Sequence, residues 1–519
     1  MRDDLLLPIT LTLADCPTLL HVIGFSGSDA LNEPYLFEVD VLCFDTTHDS
    51  ATLLHSEAYL AFSAHGGGVH GRIAQVQDLH HGQRVNLYRL RLVPALQALA
   101  GHRASRSFNG MNAMQIITRL LQDHGMGGDS VRFQRVTGVY PVREHCLQFD
   151  ETDLHLLQRL CEEEGIHFRF EHYPTRHVLI FSDDPCDFPE LHPPVPVIAQ
   201  AHKADSGAVA GLDHLAECLS VGTSYSTHLG KGPGELAPAW MFGAHREEHP
   251  ADNQPLSYGN TAGVTAVTPR RSQTGVRRLE RLRCERRQVV GLSNQPRLQS
   301  GQVMQVIGHP ETLFNDQWLL TQVQHSGKQL QLLQGLADAA AIVRALAHPR
   351  LAAFEGLQAG YRNALRVIPW AMPFRAALSH PRPRVAGVQR ARLTRLQADH
   401  LGRLRIRYDW QTTDVDRSGA DSWARVSRSV LLTEHDCTVY VAFLDGDCDQ
   451  PYICGVEPAA MEPPVSTAPT EGMSLRSHKA VSLRSAVSQL EVSAGRIRVS
   501  HNGEPATDMT DDCPDLSDA

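Results

Sequence analysis

Disulfide and metal-ribbon chemistry are the first things missing from this chain. Its 11 cysteines are scattered from Cys16 to Cys513, are odd in number and include no Cys-x-x-Cys pair; they read as reduced thiols of a cytoplasmic protein. Lysine is almost missing, with Lys203, Lys231, Lys328 and Lys479 standing beside 44 arginines. No run of about 18 apolar residues occurs, which excludes a transmembrane helix. Residues Met1 to Thr12 carry one Arg and two Asp around a short apolar patch. The basic region and small-residue cleavage site of a Sec leader are lacking there. There is no His-Glu-x-x-His and no Gly-x-Ser-x-Gly elbow, and P-loop, dinucleotide and Asn-x-Ser/Thr patterns supply no competing reading.

What remains is a chain of 519 residues, 42% hydrophobic and 20% charged. That is enough for a large core and suggests three or four domains at roughly 150 residues each. The 58 acidic and 48 basic residues leave a net charge of −10, which argues against a general nucleic-acid binder.

Residues 1 to about 100 read as antiparallel strands with one wet face. Tyr35, Phe37, Val39 and Val41 alternate with Leu36, Glu38 and Asp40, and Leu90 and Leu92 alternate with Arg89 and Arg91. Two helices interrupt the pattern. Met114, Ile117 and Leu121 form the stripe of the first, which Gly125 closes. Asp150 or Thr152 caps the second, whose stripe is Leu154, Leu157, Leu160 and Cys161 and whose end is Gly165. Its last turn, Glu162-Glu163-Glu164, opposes the helix dipole and must be solvated or meet cations. The stretch from Gln200 to Gln273 reads as short strands and loops. Val276 to Val290 reads as an arginine-rich amphipathic helix with Leu279 and Leu282 facing the core and its arginines snorkelling or pairing at an interface. Prolines 369, 373, 381 and 383 mark a linker near residues 369 to 384, before short alternating strands that suggest a small barrel. A second proline-rich linker runs from Glu462 to Glu471.

The C-terminal segment repeats. Ser474-Leu475-Arg476-Ser477 returns eight residues later as Ser482-Leu483-Arg484-Ser485. In that period Met473, Val481, Gln489 and Ile497 share one phase, and Leu475, Leu483, Glu491 and Val499 another; Gln489 and Glu491 break the apolar pattern. An eight-residue repeat of alternating apolar positions is a strand-turn signature. One copy of such short strands cannot bury its apolar face, whereas three copies wound about an axis can. Met473, Leu475, Val481, Leu483, Ile497 and Val499 are therefore the expected interface of a trimeric needle. The tail from Glu504 to Ala519, with six acidic residues and no basic one, is expected to be disordered.

Tyr140 to Asp153, reading YPVREHCLQFDETD, and the following Leu160 to Ile166, reading LCEEEGI, resemble a signature of the VgrG spike proteins of type VI secretion. Gly24-Phe25-Ser26-Gly27 with Pro34, Tyr35 and Phe37, then Pro94-Ala95-Leu96 with Arg106-Ser107-Phe108, resemble the family's first strands and the approach to its first helix. Ser293-Asn294, Leu298, Gly301, Gly308-His309-Pro310 and His325 resemble the end of its hub. Gly402 to Trp410, Ser422 to Val426 and Phe443 to Pro451 resemble its small-barrel domain. The ordered set covers nearly all of residues 20 to 500.

The resemblance implies a mainly β fold with a few helices. It implies a hub of two tube-like β-barrels with helical insertions over 1–375 and an oligonucleotide/oligosaccharide-binding (OB) barrel over 376–460. A linker would follow over 461–472, a short triple-stranded β-helix needle over 473–503 and the acidic tail over 504–519. It further implies a homotrimer capping an Hcp-like tube ring and contacting baseplate components. The trimer would carry a tip protein with the Pro-Ala-Ala-Arg (PAAR) repeat and a secreted effector or adaptor. It would be cytoplasmic until fired, then exported without a signal peptide, and would puncture target membranes. The short stretch from Ser427 to Thr438 departs from the family and predicts a barrel lacking a strand or loop. A hub-spike of a phage-derived contractile particle shares this architecture, and a peptidoglycan hydrolase is the third reading.

Chemistry has little room in this plan. The 16 residues between Glu457 and Gly472, and those after the needle, are too few for a catalytic domain. Asp183-Asp184, Asp445 with Asp447 and Asp449, and Asp511-Asp512 read as turn carboxylates. The Asp445 to Asp449 loop lacks the rest of a calcium pattern. His80-His81 and His65 with His70 lack a paired thiolate or carboxylate at a useful spacing, and the needle's His478 and His501 form no His-x-His. The sequence thus predicts no catalytic residue, metal or cofactor, no nucleic acid, and a mechanical, associative role.

Overall fold

The computed structural model describes residues 9–14, 19–47, 49–64, 66–185, 187–198, 210–219, 269–346, 360–411, 421–427, 430, 432, 437–457, 480–484, 488–493, 496–501 and 507–510. The chain forms two compact units, Met1–Glu457 and Pro458–Ala519.

The larger unit is built on one twelve-stranded sheet. Strands Thr10–Leu13, Leu20–Ala30, Leu36–Cys43, Glu57–Ala61, Gly68–His81 and Asn86–Val93 make its first half, all antiparallel. Tyr35, Phe37, Val39 and Val41 are buried as their alternation predicts. On the other face, Arg89 meets Asp40 at 2.7 Å and Arg91 meets Glu38 at 3.3 Å, each directly across the strands. Glu190–Pro196, Leu212–Leu219, Arg287–Ser293, Val303–Ile307, Gln317–Lys328 and Gly360–Pro369 make the second half. Each half keeps its own hydrophobic core. Strands Leu20–Ala30 and Gln317–Lys328 join the halves, with Gly27 opposite His325 and Gly327 opposite Phe25. These glycines leave room for Phe25, Phe37, Phe62, His325 and Tyr361 to stack. A Cβ on Gly27 would lie 2.1 Å from the Phe37 ring.

Helices α1 (Ala113–Asp123) and α2 (Asp153–Glu164) pack on the first core. Asn112 and Gln115 close a reciprocal capping box on α1. Thr152 caps α2 by accepting from His155 N, and Gly165 ends it in the left-handed region at φ 67. The four expected stripe residues of α2 are buried. So are Asp153, Gln158, Arg159, Glu162 and Glu164, so the helix is enclosed rather than amphipathic.

Two boundaries differ from the sequence reading. Helix α3 spans Pro269–Arg286, and residues 287 to 290 belong to the strand Arg287–Ser293, where Val289 enters the second core. Leu279 and Leu282 are only half-buried, while Arg277 and Cys284 face inward. Within Gln200 to Gln273 the described residues contain the strand Leu212–Leu219 and the start of α3; the rest of that reading lies outside them. A further helix, α4 (Ala339–Leu346), places Ile342 against Ile23 and Leu87. Among the described residues no helix is long and apolar enough to cross a membrane.

Strands Gln389–Arg395, Arg403–Tyr408, Ser422–Val426, Thr438–Phe443 and Pro451–Val456 form a closed barrel. The first pairs with the second and fourth, and the third runs parallel to the fifth, the pattern of an OB-fold. The expected missing strand is not missing: five strands close the ring despite the short Ser427 to Thr438 stretch. Leu393, Ile406, Ala424, Val439, Val441 and Ile453 fill it.

In the smaller unit, strands Ala480–Arg484, Ser488–Ser493, Arg496–His501 and Thr507–Thr510 make an antiparallel meander. Register pairs Val481 with Val492, Leu483 with Leu490, Leu490 with Val499, Val492 with Ile497 and Ile497 with Met509. These positions share one face. The eight-residue phase is therefore offset by one in Ser488–Ser493, where Leu490 and Val492 replace Gln489 and Glu491 on that face, and is regained at Ile497 and Val499. Thr507–Thr510 is a strand within the segment expected to be disordered, because Met509 continues the apolar row. The linker residues 461–472 lie outside the described residues.

Candidate functional site

The densest set of named contacts in the larger unit lies where the hub meets the barrel. Residues 369–384 were expected to be a linker, yet they form a strap pinned along its length. Phe374 is buried, and Arg375 donates to the carbonyls of Gly165 and Asp183 and to Glu280 at 2.8 Å. His380 holds Glu162 through its backbone N–H (2.9 Å) and ring (2.6 Å). Arg382 grips Glu163 with two nitrogens, at 2.6 and 3.0 Å, and reaches Asp449 of the barrel at 3.1 Å.

The three glutamates ending α2 thus find partners, His380 for Glu162 and arginines for Glu163 and Glu164. Arg143 bridges Glu163 (3.0 Å) and Glu164 (2.7 Å). Burial alone would raise the Glu163 carboxyl, but the charges of Arg382, Arg143 and Arg159 outweigh it and hold its pKa at about 2. Arg159 is wholly buried and donates to Glu151 at 2.6 Å and to Leu147 O at 3.3 Å. From α3, Arg277 meets Asp183 at 2.7 Å and lies over the Tyr140 ring, while Arg281 donates to the carbonyls of Glu162 and Ala376. Arg277 and Arg281 of α3 therefore pair across an interface, as the sequence reading of this helix anticipated.

The hub strand Cys146–Thr152 lies against the barrel. Leu147 joins the barrel core, its N–H donates to Asp449 at 2.8 Å, and Phe149 meets Trp410 edge-on at 6.0 Å. Glu144 pairs with Arg403 at 2.5 Å, and Asn109 donates to Asp421 O at 3.0 Å. Within the VgrG-like signature, Glu144, Leu147 and Phe149 are therefore residues that meet the barrel.

This arrangement is built to hold. Burial would raise the Asp183 carboxyl, but hydrogen bonds from Tyr140, Thr137 and Gly138 and the Arg277 charge lower it. It is a fixed anion, unlike the raised carboxyl a general acid requires. In the Asp445 to Asp449 loop, Arg382 occupies the side a cation would take, 3.1 Å from Asp449 and 3.8 Å from Asp447. Burial pushes the Cys146 thiol up to about 12, far from a reactive thiolate.

Of the residues singled out for the needle, Met473 and Leu475 lie outside the described residues. Positions 481, 483, 497 and 499 fall on the common face of the meander. Sequence reasoning missed Leu490 and Val492, which an alternation count restarted after Ala486 would have found. It also missed Arg159, Arg375 and Arg382, whose only signal was the Glu-rich end of α2.

Residues 28–331 match the phage tail baseplate hub (GPD) family. The chain is 35% identical over 455 residues to the type VI secretion system spike protein VgrG4b of Pseudomonas aeruginosa, covering 84% of this chain and 54% of that protein. It is 34% identical over 454 residues to VgrG5 of the same organism, covering 84% and 55%. The chain thus spans about half the length of these relatives. Its fold is similar to that of the Escherichia coli c3393 protein, a component of the type VI secretion system, with a TM-score of 0.64 and 21% identity over 86% of this chain and 100% of that one. The chain belongs to the phage tail baseplate hub family and shares its fold with VgrG-type spike proteins.

Proposed function

We propose that this chain is the structural spike at the tip of a type VI secretion tube, acting as a homotrimer. The observation that carries the reading is the order of parts. A hub is ion-paired to a closed OB barrel, and a repeat of short strands then gathers Val481, Leu483, Leu490, Val492, Ile497 and Val499 on one face. An apolar face on a small meander needs a cover, and two further copies of the chain supply it. The domains follow the boundaries 1–375, 376–460, 461–472, 473–503 and 504–519. The hub seats on an Hcp-like tube ring and baseplate components, and the needle carries a PAAR-repeat tip protein and an effector or adaptor. The protein waits in the cytoplasm and leaves by firing, and its role is structural rather than catalytic.

In cells with an active secretion system, a tagged copy recovered from culture supernatant is expected to bring tip and effector proteins with it. Leu483→Asp is expected to abolish that recovery and split the trimer. A fully stable, secreted trimer of Leu483→Asp overturns the needle assignment. The family match to phage hubs favours one second reading, a hub-spike of a phage-derived contractile particle. Recovery of the protein in intact sheathed particles in the supernatant would select that one.

A further inference from the structure

Three side chains far apart in the chain converge beside α1 and α2. His102 precedes the strand Arg103–Phe108, His124 follows α1, and Asp153 opens α2. Oδ2 of Asp153 receives both rings, Nδ1 of His102 at 2.8 Å and Nε2 of His124 at 2.8 Å. Oδ1 is held separately, by Gln148 Nε2 at 2.8 Å and Arg106 at 3.0 Å. Arg106 is itself fixed by Gln148 Oε1 at 2.8 Å and Asp123 at 3.1 Å. The Asp153 side chain is 1% exposed, His124 18% and His102 50%, so the cluster is anchored inside and open on one side.

We propose that His102, His124 and Asp153 form a binding site for a divalent transition-metal ion of the zinc type. Two imidazoles and one carboxylate suit zinc rather than magnesium or calcium, and the open side leaves a fourth position for water. The three donor atoms lie within 4.8 Å of one another. Ligand bonds of about 2.0–2.2 Å in a tetrahedron put donors roughly 3.3–3.6 Å apart, so loading requires each 2.8 Å His–Asp153 contact to widen by about 0.5–0.8 Å while the two ring nitrogens, within 4.8 Å of each other, settle at the same spacing. Arg106 and Gln148 play the part that outer partners play at metal sites, fixing the carboxylate and presenting one oxygen. The ion would tie the end of α1, the start of α2 and the turn at His102 into one piece.

The test uses the full-length protein, stripped with a chelator, dialysed and titrated with zinc chloride by calorimetry. Wild type is expected to bind one more zinc per chain than His102→Ala or His124→Ala, and magnesium is expected to give no heat at this site. Cobalt(II) in place of zinc is expected to give visible absorption of a tetrahedral nitrogen/oxygen site that either substitution removes. His102 is half exposed, so His102→Ala retains the fold, which circular dichroism checks. Equal zinc stoichiometry and affinity in wild type and both variants overturns the site. So does a wild-type protein that takes up no zinc.

Discussion

Removing the Arg159 guanidinium tests the junction most sharply. In Arg159→Met the stem keeps its packing while Glu151, whose side chain is 4% exposed, loses its closest cation at 2.6 Å. Glu163 keeps Arg143 and Arg382, so the damage centres on Glu151. Leaving one partner of a buried pair costs about 3–5 kcal/mol. Burial already raises the Glu151 carboxyl and Arg159 opposes that rise; without the arginine it rises further. A carboxyl raised in the folded state is unfavourable above its unfolded pKa and is relieved as pH falls. The difference between wild type and variant should therefore shrink from pH 7 to pH 5. Adding Glu151→Gln to Arg159→Met should recover at least half of the loss. Urea unfolding followed by tryptophan fluorescence reads this, because Trp410 lies against Phe149 at the junction. A loss below about 1 kcal/mol, or a double variant no better than the single, refutes the reasoning.

Acid should loosen the hub through its buried histidines. Burial lowers His325 and His167 to about 3, so below the unfolded value of about 6.5 only the unfolded chain takes up their protons, and stability falls. At pH 4.5 each costs on the order of 2–3 kcal/mol relative to pH 8. His325→Gln should flatten the melting-temperature profile between pH 6.5 and 4.5, and an unchanged slope would contradict the assignment. Gly27→Ala places a Cβ on the Phe37 ring and should cost about 1–3 kcal/mol by overpacking; an unchanged melting temperature would show that the seam is loosely packed.

Local rules carried far along this sequence. Alternation located Phe37, Val39 and Val41, and cap chemistry placed the end of α2 at Gly165 and narrowed its start to Asp150 or Thr152, of which Thr152 is the cap. The seam was out of reach because Gly27 and His325 meet only through long-range pairing, which no local window encodes. The strap was misread because Pro369, Pro373, Pro381 and Pro383 block regular structure without freeing the chain. Arg375, His380 and Arg382 between them bind it to α2 and the barrel. The glutamates of α2 did announce a need for partners, but these come from two other segments, Arg143 ahead of α2 and His380 with Arg382 in the strap. Strict period counting placed Ile497 and Val499 on the common face but missed the strand Ser488–Ser493, where Leu490 takes the place expected of Gln489. The His102, His124 and Asp153 cluster was hidden for the same reason as the seam, since its members share no short motif.

The central claim is that the strand repeat forces three chains together. Light scattering coupled to size exclusion, on the purified chain at micromolar concentration, measures this directly. The account predicts a mass three times that of the 57.3 kDa chain, falling toward one chain in Leu483→Asp. A well-folded wild-type monomer under those conditions would contradict it.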